Sequence, residues 1–305
     1  MHASVSDHNR AFEQAIARDV SAALAEDIAS GDLTAQLIPV TQPATATIIS
    51  REPAVICGEA WVERCFQQIA PETRLDWHIA EGERVRADQI LCTIHGNACD
   101  LLTAERCALN FLQLLSATAT QTRHYVDAIS GTRAQIFDTR KTIPGLRLAQ
   151  KYAVTVGGGM NQRMGLYDGI LIKENHIAAA GSIHAALQAA RNINSHAPVQ
   201  IEVETLAQLQ TALEAGAGLI LLDNFSLPQL REAVSLNGGR AVLEASGGIT
   251  LDNVREVALT GVARISIGNL TKNVQAVDLS MRLSACISLH DLTQNPQQKT
   301  PGKGP

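Results

Sequence analysis

Aromatic side chains make up only 3% of the 305 residues, which counts against stacking platforms for single-stranded nucleic acid. No apolar stretch reaches the roughly 18 residues of a membrane-crossing helix. The opening Met1-His2-Ala3-Ser4-Val5-Ser6-Asp7-His8 lacks a basic segment followed by an apolar run, so neither membrane nor export is expected. Neither charge sign dominates. Thirty acidic and 25 basic side chains leave a net charge of −5 and a pI near 6.0, a balance that argues against bulk nucleic-acid binding. Among the six cysteines (Cys57, Cys65, Cys92, Cys99, Cys107 and Cys286) there is no Cys-x-x-Cys pair and no zinc-ligand spacing. They read as buried reduced thiols of a cytosolic protein. Lysine is absent before Lys141. That matters for Gly82-x-x-Val85 followed by Gln89-Ile90-Leu91-x-x-Ile94-x-Gly96, whose rhythm is like that of biotinyl and lipoyl carriers. Without a lysine to modify, it reads as a structural hairpin.

What is present is a real core: 46% of the residues are apolar and 18% charged, the balance of a globular chain. The length allows two domains or one large α/β domain. Phe12, Ile16, Val20 and Leu24 recur at helical spacing. Thr45–Cys57 reads as strand, Gly58–Ala70 as helix and Arg74–Val85 as strand. A long helix is expected from Thr103, as its cap, to about Ile129, with Glu105 suited to the positive end of its dipole and Ala108, Phe111, Leu112 and Leu115 on its buried face.

From about residue 134 the pattern becomes regular. Short apolar runs at Ala134–Phe137, Gly169–Ile172, Val199–Val203, Gly218–Leu222, Ala241–Leu243 and Arg264–Ile267 each end in polar, charged or glycine residues. Helix-length segments, including Ala178–Asn194, Thr205–Ala215, Ser226–Ser235 and Thr250–Thr260, separate the later ones. Alternation of this kind builds a parallel sheet, and Gly216, Gly238 and Gly261 fall where helices should stop. An open sheet and a barrel both fit. Charged residues at the strand ends favour a barrel with its active face there, and six strands are too few for a complete eight-fold barrel.

The charge is unevenly placed. Residues 139–173 hold Arg140, Lys141, Arg147, Lys151, Arg163 and Lys173 against a single acid, Asp168, so a cationic island lies inside an acidic protein. Arg140, Lys141 and Lys173 fall at strand ends. The triplet Gly157-Gly158-Gly159 lies between them, where backbone either bends sharply or approaches a ligand. Glu202 and Asp223 sit at the ends of successive strands, where carboxylates hold a divalent metal or accept from sugar hydroxyls. Ser246-Gly247-Gly248 and Gly268-Asn269-Leu270-Thr271-Lys272 each lie between a strand and a helix, where backbone N–H groups seat a phosphate. Together these describe a ligand with a terminal phosphate, hydroxyls, Mg²⁺ and further negative groups. His124, His176, Trp61 and Trp77 read as structural.

Several stretches carry a family resemblance: Thr103-Ala104-Glu105-Arg106 with Ala108-Leu109-Asn110-Phe111; Asp138 to Arg147; Leu171 to His176; Leu221 to Phe225; and Thr271 to Ser280. The chain resembles the quinolinate phosphoribosyltransferase family from about residue 11 to 287. The resemblance implies an α/β fold with an N-terminal α/β sandwich (1–115, joined by C-terminal helical residues 275–290), an incomplete six- to seven-stranded α/β barrel with the catalytic face (116–274), and a disordered tail (291–305). It implies transfer of phosphoribosyl from phosphoribosyl pyrophosphate to quinolinate with loss of CO₂, in the biosynthesis of NAD, by a cytoplasmic homodimer that uses Mg²⁺ and no organic cofactor.

By the same resemblance Arg106 of the partner, Arg140, Arg163 and Lys173 hold the carboxylates of quinolinate, and Thr139 and Gln162 join the substrate site. Lys141 and Lys173 lie near pyrophosphate. Glu202 and Asp223 take ribose hydroxyls and Mg²⁺. Ser246, Gly247, Gly248, Gly268, Asn269 and Lys272 seat the 5′-phosphate. Two departures stand out: Gln162 replaces the usual His of an Asn-His-Arg motif, and Asn269 stands where Ala is usual. Two other activities are compatible with the residues: a phosphoribosyltransferase acting on another aromatic acid, and a Schiff-base lyase with Lys173 as nucleophile. A non-catalytic sensor of phosphate ligands is a third reading.

Overall fold

A computed structural model describes residues 5–193 and 197–285 of the chain. Its first half contains α1 (Val5–Ile28), β1 (Pro43–Ser50), β2 (Ala54–Val55), α2 (Glu59–Ile69), β3 (Arg74–Trp77), β4 (Arg84–Val85), β5 (Ile90–Asn97) and α3 (Ala98–Ala128). Alternation builds β1: Ala44, Ala46 and Ile48 are buried while Thr45 and Thr47 between them are half-buried. The expected strand Thr45–Cys57 is broken after Ser50, whose hydroxyl donates to the Glu52 carbonyl at 2.6 Å. Trp61, Val62, Cys65 and Phe66 form the buried stripe of α2, and Trp61 is a core residue. Cys57, Cys65, Cys92 and Cys107 are buried free thiols, and Cys99 is half-buried. Cys286 lies outside the described residues.

Helix α3 starts earlier than Thr103. Asn97 caps it, accepting from the Cys99 N–H at 2.9 Å, so Thr103 is inside the helix and donates its hydroxyl to Asp32 instead, at 2.9 Å. The helix runs through residue 115 without interruption. Leu101, Leu112 and Leu115 belong to the N-terminal core and Tyr125 to the core of the second half.

The second half contains β6 (Gln135–Phe137), α4 (Arg147–Val156), β7 (Ile170–Ile172), α5 (Glu174–Ala180), α6 (Ile183–Ile193), β8 (Val199–Val203), α7 (Leu206–Glu214), β9 (Leu219–Asp223), α8 (Leu227–Asn237), β10 (Val242–Ser246), α9 (Val254–Leu259), β11 (Arg264–Ser266), α10 (Asn269–Lys272) and β12 (Leu279–Ala285). All six expected strands are present. They form one parallel sheet in the order β6-β11-β10-β9-β8-β7, the incomplete barrel. Outside β6, among the described residues, there is a single bridge, from Phe137 to Met160. One face of this sheet carries Ile136, Ile172, Ile201, Ile220, Leu222, Leu243, Ala245 and Ile265 into the core with the helices. The residues between them face the other way, and that second face holds the site. The expected helix Ala178–Asn194 is two helices, broken at Gly181 in the left-handed region.

Two expectations are corrected. The residues 275–290 were expected to return as helix, but 279–285 form β12, antiparallel to β1 with Ser50 opposite Leu279 and Ala44 opposite Ala285. Leu279, Met281 and Leu283 alternate with Ser280, Arg282 and Ser284, a period of two, and that period fits a strand and not a helix. The sheet order β12-β1-β5-β3 ties the end of the described chain into the N-terminal half. Residues 286–290 and the tail 291–305 lie outside the described residues. The second correction concerns Gly157-Gly158-Gly159. A Cβ on Gly157 would lie 2.5 Å from the Ala119 carbonyl oxygen, and one on Gly159 would lie 2.8 Å from Thr122 Cγ2. The triplet serves a close approach of backbone to α3, not to a ligand.

Candidate active site

At the C-terminal rim of the parallel sheet, a cavity of about 470 Å³ gathers Thr139, Lys141, Asp223, Ser246, Gly247, Gly248, Gly268, Asn269 and Lys272. These are residues from four separate βα junctions. Strand register explains the grouping: Asp223 pairs with Ser246 and Phe137 with Ser266, so the strands end at one level and their following residues face one another. Gly247 has φ +91, and a Cβ there would lie 2.1 Å from Asn224 Oδ1. Only glycine lets this turn lie so close to the neighbouring strand end. Lys141 crosses over Gly268, where an added Cβ would lie 3.1 Å from its Cδ. The Lys141 loop is held from beneath. Thr271 Oγ1 donates to the Lys141 carbonyl at 2.8 Å, and Gln150 accepts from the Ile143 N–H and donates to the Thr271 carbonyl, each at 2.8 Å. Ser266 Oγ is buried without a hydrogen-bond partner beside this cavity, a polar atom left for a ligand.

Next to it, Lys173 at the end of β7 forms an ion pair with Glu202 of β8, Nζ to Oε2 at 3.0 Å. Arg140, two residues beyond the buried Asp138, has its Nε buried and unpartnered. Arg163 donates to the Gly169 carbonyl at 3.0 Å. Burial and then the neighbouring Arg140 hold the Arg163 guanidinium below its ordinary pKa, with Asp168 opposing. Arg140 is thus near enough for its charge to act on Arg163. Asp168 is occupied elsewhere, accepting the Met164 and Gly165 N–H groups at 2.7 and 2.9 Å.

The cationic island therefore divides. Lys141 lines the cavity at the rim, while Arg140 lies next to it in the loop after β6 and Lys173 lies at the end of β7. Lys151 and Arg147 play other parts. Lys151 is fully buried on Asp138, and Arg147 braces the loop through Thr142 Oγ1 at 3.1 Å and the carbonyls of Arg140 and Met164. Gln162 and Arg163 line a separate cavity of about 450 Å³ toward the opposite ends of the strands, with Gln200 and Arg264. Arg106 is exposed on α3 and lines neither cavity. His176 caps α5, its Nδ1 3.0 Å from the Lys173 N–H.

Sequence reasoning missed Asp138, Gln200 and Glu244. Asp138 accepts from Lys151, Asn161 and the Gln162 N–H. Glu244 is fully buried and accepts from Gln162 and Gln200. A lone Glu inside the apolar run Val242-Leu243-Glu244-Ala245 was the available signal, because an acid in a strand interior must be satisfied by partners.

Comparison with known proteins agrees with this geometry. Residues 32–116 match the family model for the quinolinate phosphoribosyl transferase N-terminal domain, and residues 118–282 match that for its C-terminal domain. The chain is 42% identical over 257 residues (84% of this chain, 89% of the relative) to a protein of Bacillus subtilis described as a probable nicotinate-nucleotide pyrophosphorylase (carboxylating). It is 42% identical over 275 residues (88% and 97%) to a Mycobacterium leprae nicotinate-nucleotide pyrophosphorylase (carboxylating). The solved structure of the nicotinate-nucleotide pyrophosphorylase from Francisella tularensis superposes with a TM-score of 0.87 at 43% identity, covering 89% of this chain and 97% of that one. The chain belongs to the quinolinate phosphoribosyltransferase family.

Proposed function

We propose that this chain transfers the phosphoribosyl group of phosphoribosyl pyrophosphate to quinolinate, releasing pyrophosphate and CO₂ and forming nicotinate mononucleotide, a step of NAD biosynthesis. The observation that carries the reading is the adjacency, on one rim, of a glycine-lined cavity with Lys141 and Lys272 and of Arg140, whose buried Nε has no partner, and Lys173 at the end of β7.

The chemistry suits such a site. The pyridine nitrogen of quinolinate has a free lone pair, so attack on the ribose C1′ needs no general base. As the C1′–O bond to pyrophosphate breaks, positive charge develops on the ribose and negative charge on the leaving group. Lys141 and Lys173 stabilise the leaving group, and Glu202 and Asp223 face the ribose hydroxyls. Once the nitrogen is quaternary, the ring stabilises the carbanion left when the adjacent carboxylate departs as CO₂, and a proton from water completes the product. Arg140 and Arg163 hold the carboxylates, for which a planar guanidinium offers paired donors. The backbone at Gly247, Gly248 and Asn269, with Ser246, Thr139, Gly268 and Lys272, seats the 5′-phosphate.

Two carboxylates at neighbouring strand ends fit Mg²⁺, which takes one or two protein carboxylates and completes its shell with substrate oxygens and water. Glu202 and Asp223 would hold it, and it would neutralise pyrophosphate charge. Arg106, exposed and lining neither cavity within one chain, suits a contribution across a dimer to the partner's site. The Schiff-base alternative is disfavoured because Lys173 Nζ is engaged in an ion pair with Glu202, and because it leaves the other cations without a role.

The test is turnover by the purified chain of quinolinate against nicotinate, each with phosphoribosyl pyrophosphate, with and without Mg²⁺. Nicotinate mononucleotide from quinolinate, with equimolar pyrophosphate and CO₂, is expected. Preferential use of nicotinate without CO₂ would reject the dicarboxylate assignment.

A further inference from the structure

Beneath the rim lies a polar triangle that the reaction chemistry leaves unexplained. Glu244 of β10 is fully buried and forms no ion pair with a cation within 4.0 Å among the described residues. Gln162 Nε2 donates to one of its oxygens. Gln200 Nε2 donates to the other at 3.0 Å, and Gln162 Nε2 also donates to Gln200 Oε1 at 3.1 Å. Both oxygens of Glu244 accept, and this fixes which way both amides point. Both N–H bonds of Gln162 are consumed, and this side chain has no donor left for a substrate carboxylate. Its backbone is pinned as well: the N–H donates to Asp138 at 2.8 Å, and the carbonyl accepts from Lys151 at 2.9 Å. The next residue is Arg163, whose N–H leans on Gln162 Oε1 at 3.4 Å and whose guanidinium donates to the Gly169 carbonyl at 3.0 Å within reach of the Arg140 charge.

We propose that Glu244, through Gln200 and Gln162, is a positioning residue that holds Arg163 beside Arg140, so that two guanidinium groups are set in place for a dicarboxylate before it binds. Holding like charges together costs free energy that a rigid backbone must supply, and residue 162, clamped at its N–H, its carbonyl and its side chain, supplies it. The role of Gln162 is then orientation and not contact with substrate. The inference rests on the proposed phosphoribosyl transfer to quinolinate.

The donor pattern dictates the test. In Glu244→Gln one of the three contacts becomes amide against amide, N–H facing N–H, unless Gln162 turns. In the double variant Gln200→Glu/Glu244→Gln the carboxylate moves from β10 to β8, two strands over, and every hydrogen bond survives, with Gln162 still the donor. Steady-state kinetics, with thermal melting to confirm folding, are measured for wild type, both single variants and the double variant. Glu244→Gln is expected to raise KM for quinolinate at least about tenfold, the range for losing one buried charge-assisted hydrogen bond, while KM for phosphoribosyl pyrophosphate stays within about twofold. The double variant should return KM for quinolinate to within about threefold of wild type, the residue of a swap that keeps all its bonds. In proton–nitrogen spectra the Gln162 side-chain amide should exchange slowly with solvent in wild type and in the double variant, and fast in Glu244→Gln. An unchanged quinolinate KM in folded Glu244→Gln, equal changes in both KM values, or no recovery in the double variant would overturn the proposal. Wild type failing to turn over quinolinate would instead reject the activity on which it rests, with the amide exchange still reporting on the triangle.

Discussion

Lys173 Nζ lies 3.0 Å from Glu202 Oε2 across the neighbouring strands β7 and β8, with Glu202 the more buried of the two. The pair places a cation and an anion at the boundary between the cavity that suits a phosphate and the space that suits a dicarboxylate. Opposite charges are both needed there, because the reaction makes the ribose positive and its leaving group negative.

Replacing Lys173 by Met removes the cation and leaves Glu202 to repel both substrates. A fall in kcat of about 10²-fold or more is expected, the range for loss of one preorganised electrostatic group. Rapid-quench measurement of nucleotide formation checks it, and a rate within threefold of wild type would remove Lys173 from the chemistry.

Arg140→Ala deletes a guanidinium whose Nε has no protein acceptor. Calorimetric titration with quinolinate should show binding weakened by about 2–5 kcal/mol, the usual cost of leaving a buried carboxylate unpaired, with phosphoribosyl pyrophosphate affinity changed far less.

Gly247→Ala should show the reverse selectivity to Arg140→Ala. The new Cβ would meet Asn224 in a backbone with φ +91, straining the turn by about 1–3 kcal/mol. KM for phosphoribosyl pyrophosphate is expected to rise, with quinolinate binding nearly unchanged in direct titration.

Lys151→Met leaves the Asp138 carboxylate buried without its cation, since burial already pushes Asp138 up and Lys151 down. Urea unfolding should show a loss of about 3–5 kcal/mol, and Asp138→Asn in the same chain should restore part of it.

Glu59, at the start of α2, has its carboxyl raised from an ordinary 4.5 to about 7, chiefly by burial and then by Glu81 and Glu63. The folded state therefore holds this proton more tightly than the unfolded chain does. Its contribution to stability is complete below pH 4.5 and is lost as pH rises through 7. Melting temperatures of Glu59→Gln across pH 4 to 9 should decline less than those of wild type over this interval. Parallel curves for the two proteins would refute the assignment.

The barrel sheet was legible because its alternation is local: each strand is a short apolar run that ends in a polar residue, as at Leu219–Asp223. The glycine turns at the strand ends were legible for the same reason, since Gly247 and Gly268 lie one and two residues beyond β10 and β11. The division of the cationic island was not. Nothing local tells Lys151, which is fully buried on Asp138, from Lys141, which is exposed, because the distinction depends on α4 packing against the loop beyond β6. Glu244 was hidden similarly: its partners Gln162 and Gln200 lie 82 and 44 residues away. The helix expected over 275–290 came from the family resemblance and not from these residues, whose alternation at Leu279, Met281 and Leu283 already fits the strand that pairs with β1.

The central claim is that one rim grips two polyanions side by side. Diffraction from crystals soaked with quinolinate and a non-reactive carbocyclic analogue of phosphoribosyl pyrophosphate, with Mg²⁺, tests it most directly. The account predicts a phosphate on the turns at Gly247 and Gly268 and a pyridine dicarboxylate held by Arg140 and Arg163. Density for either ligand away from this rim, with the two arginines left facing solvent, would contradict it.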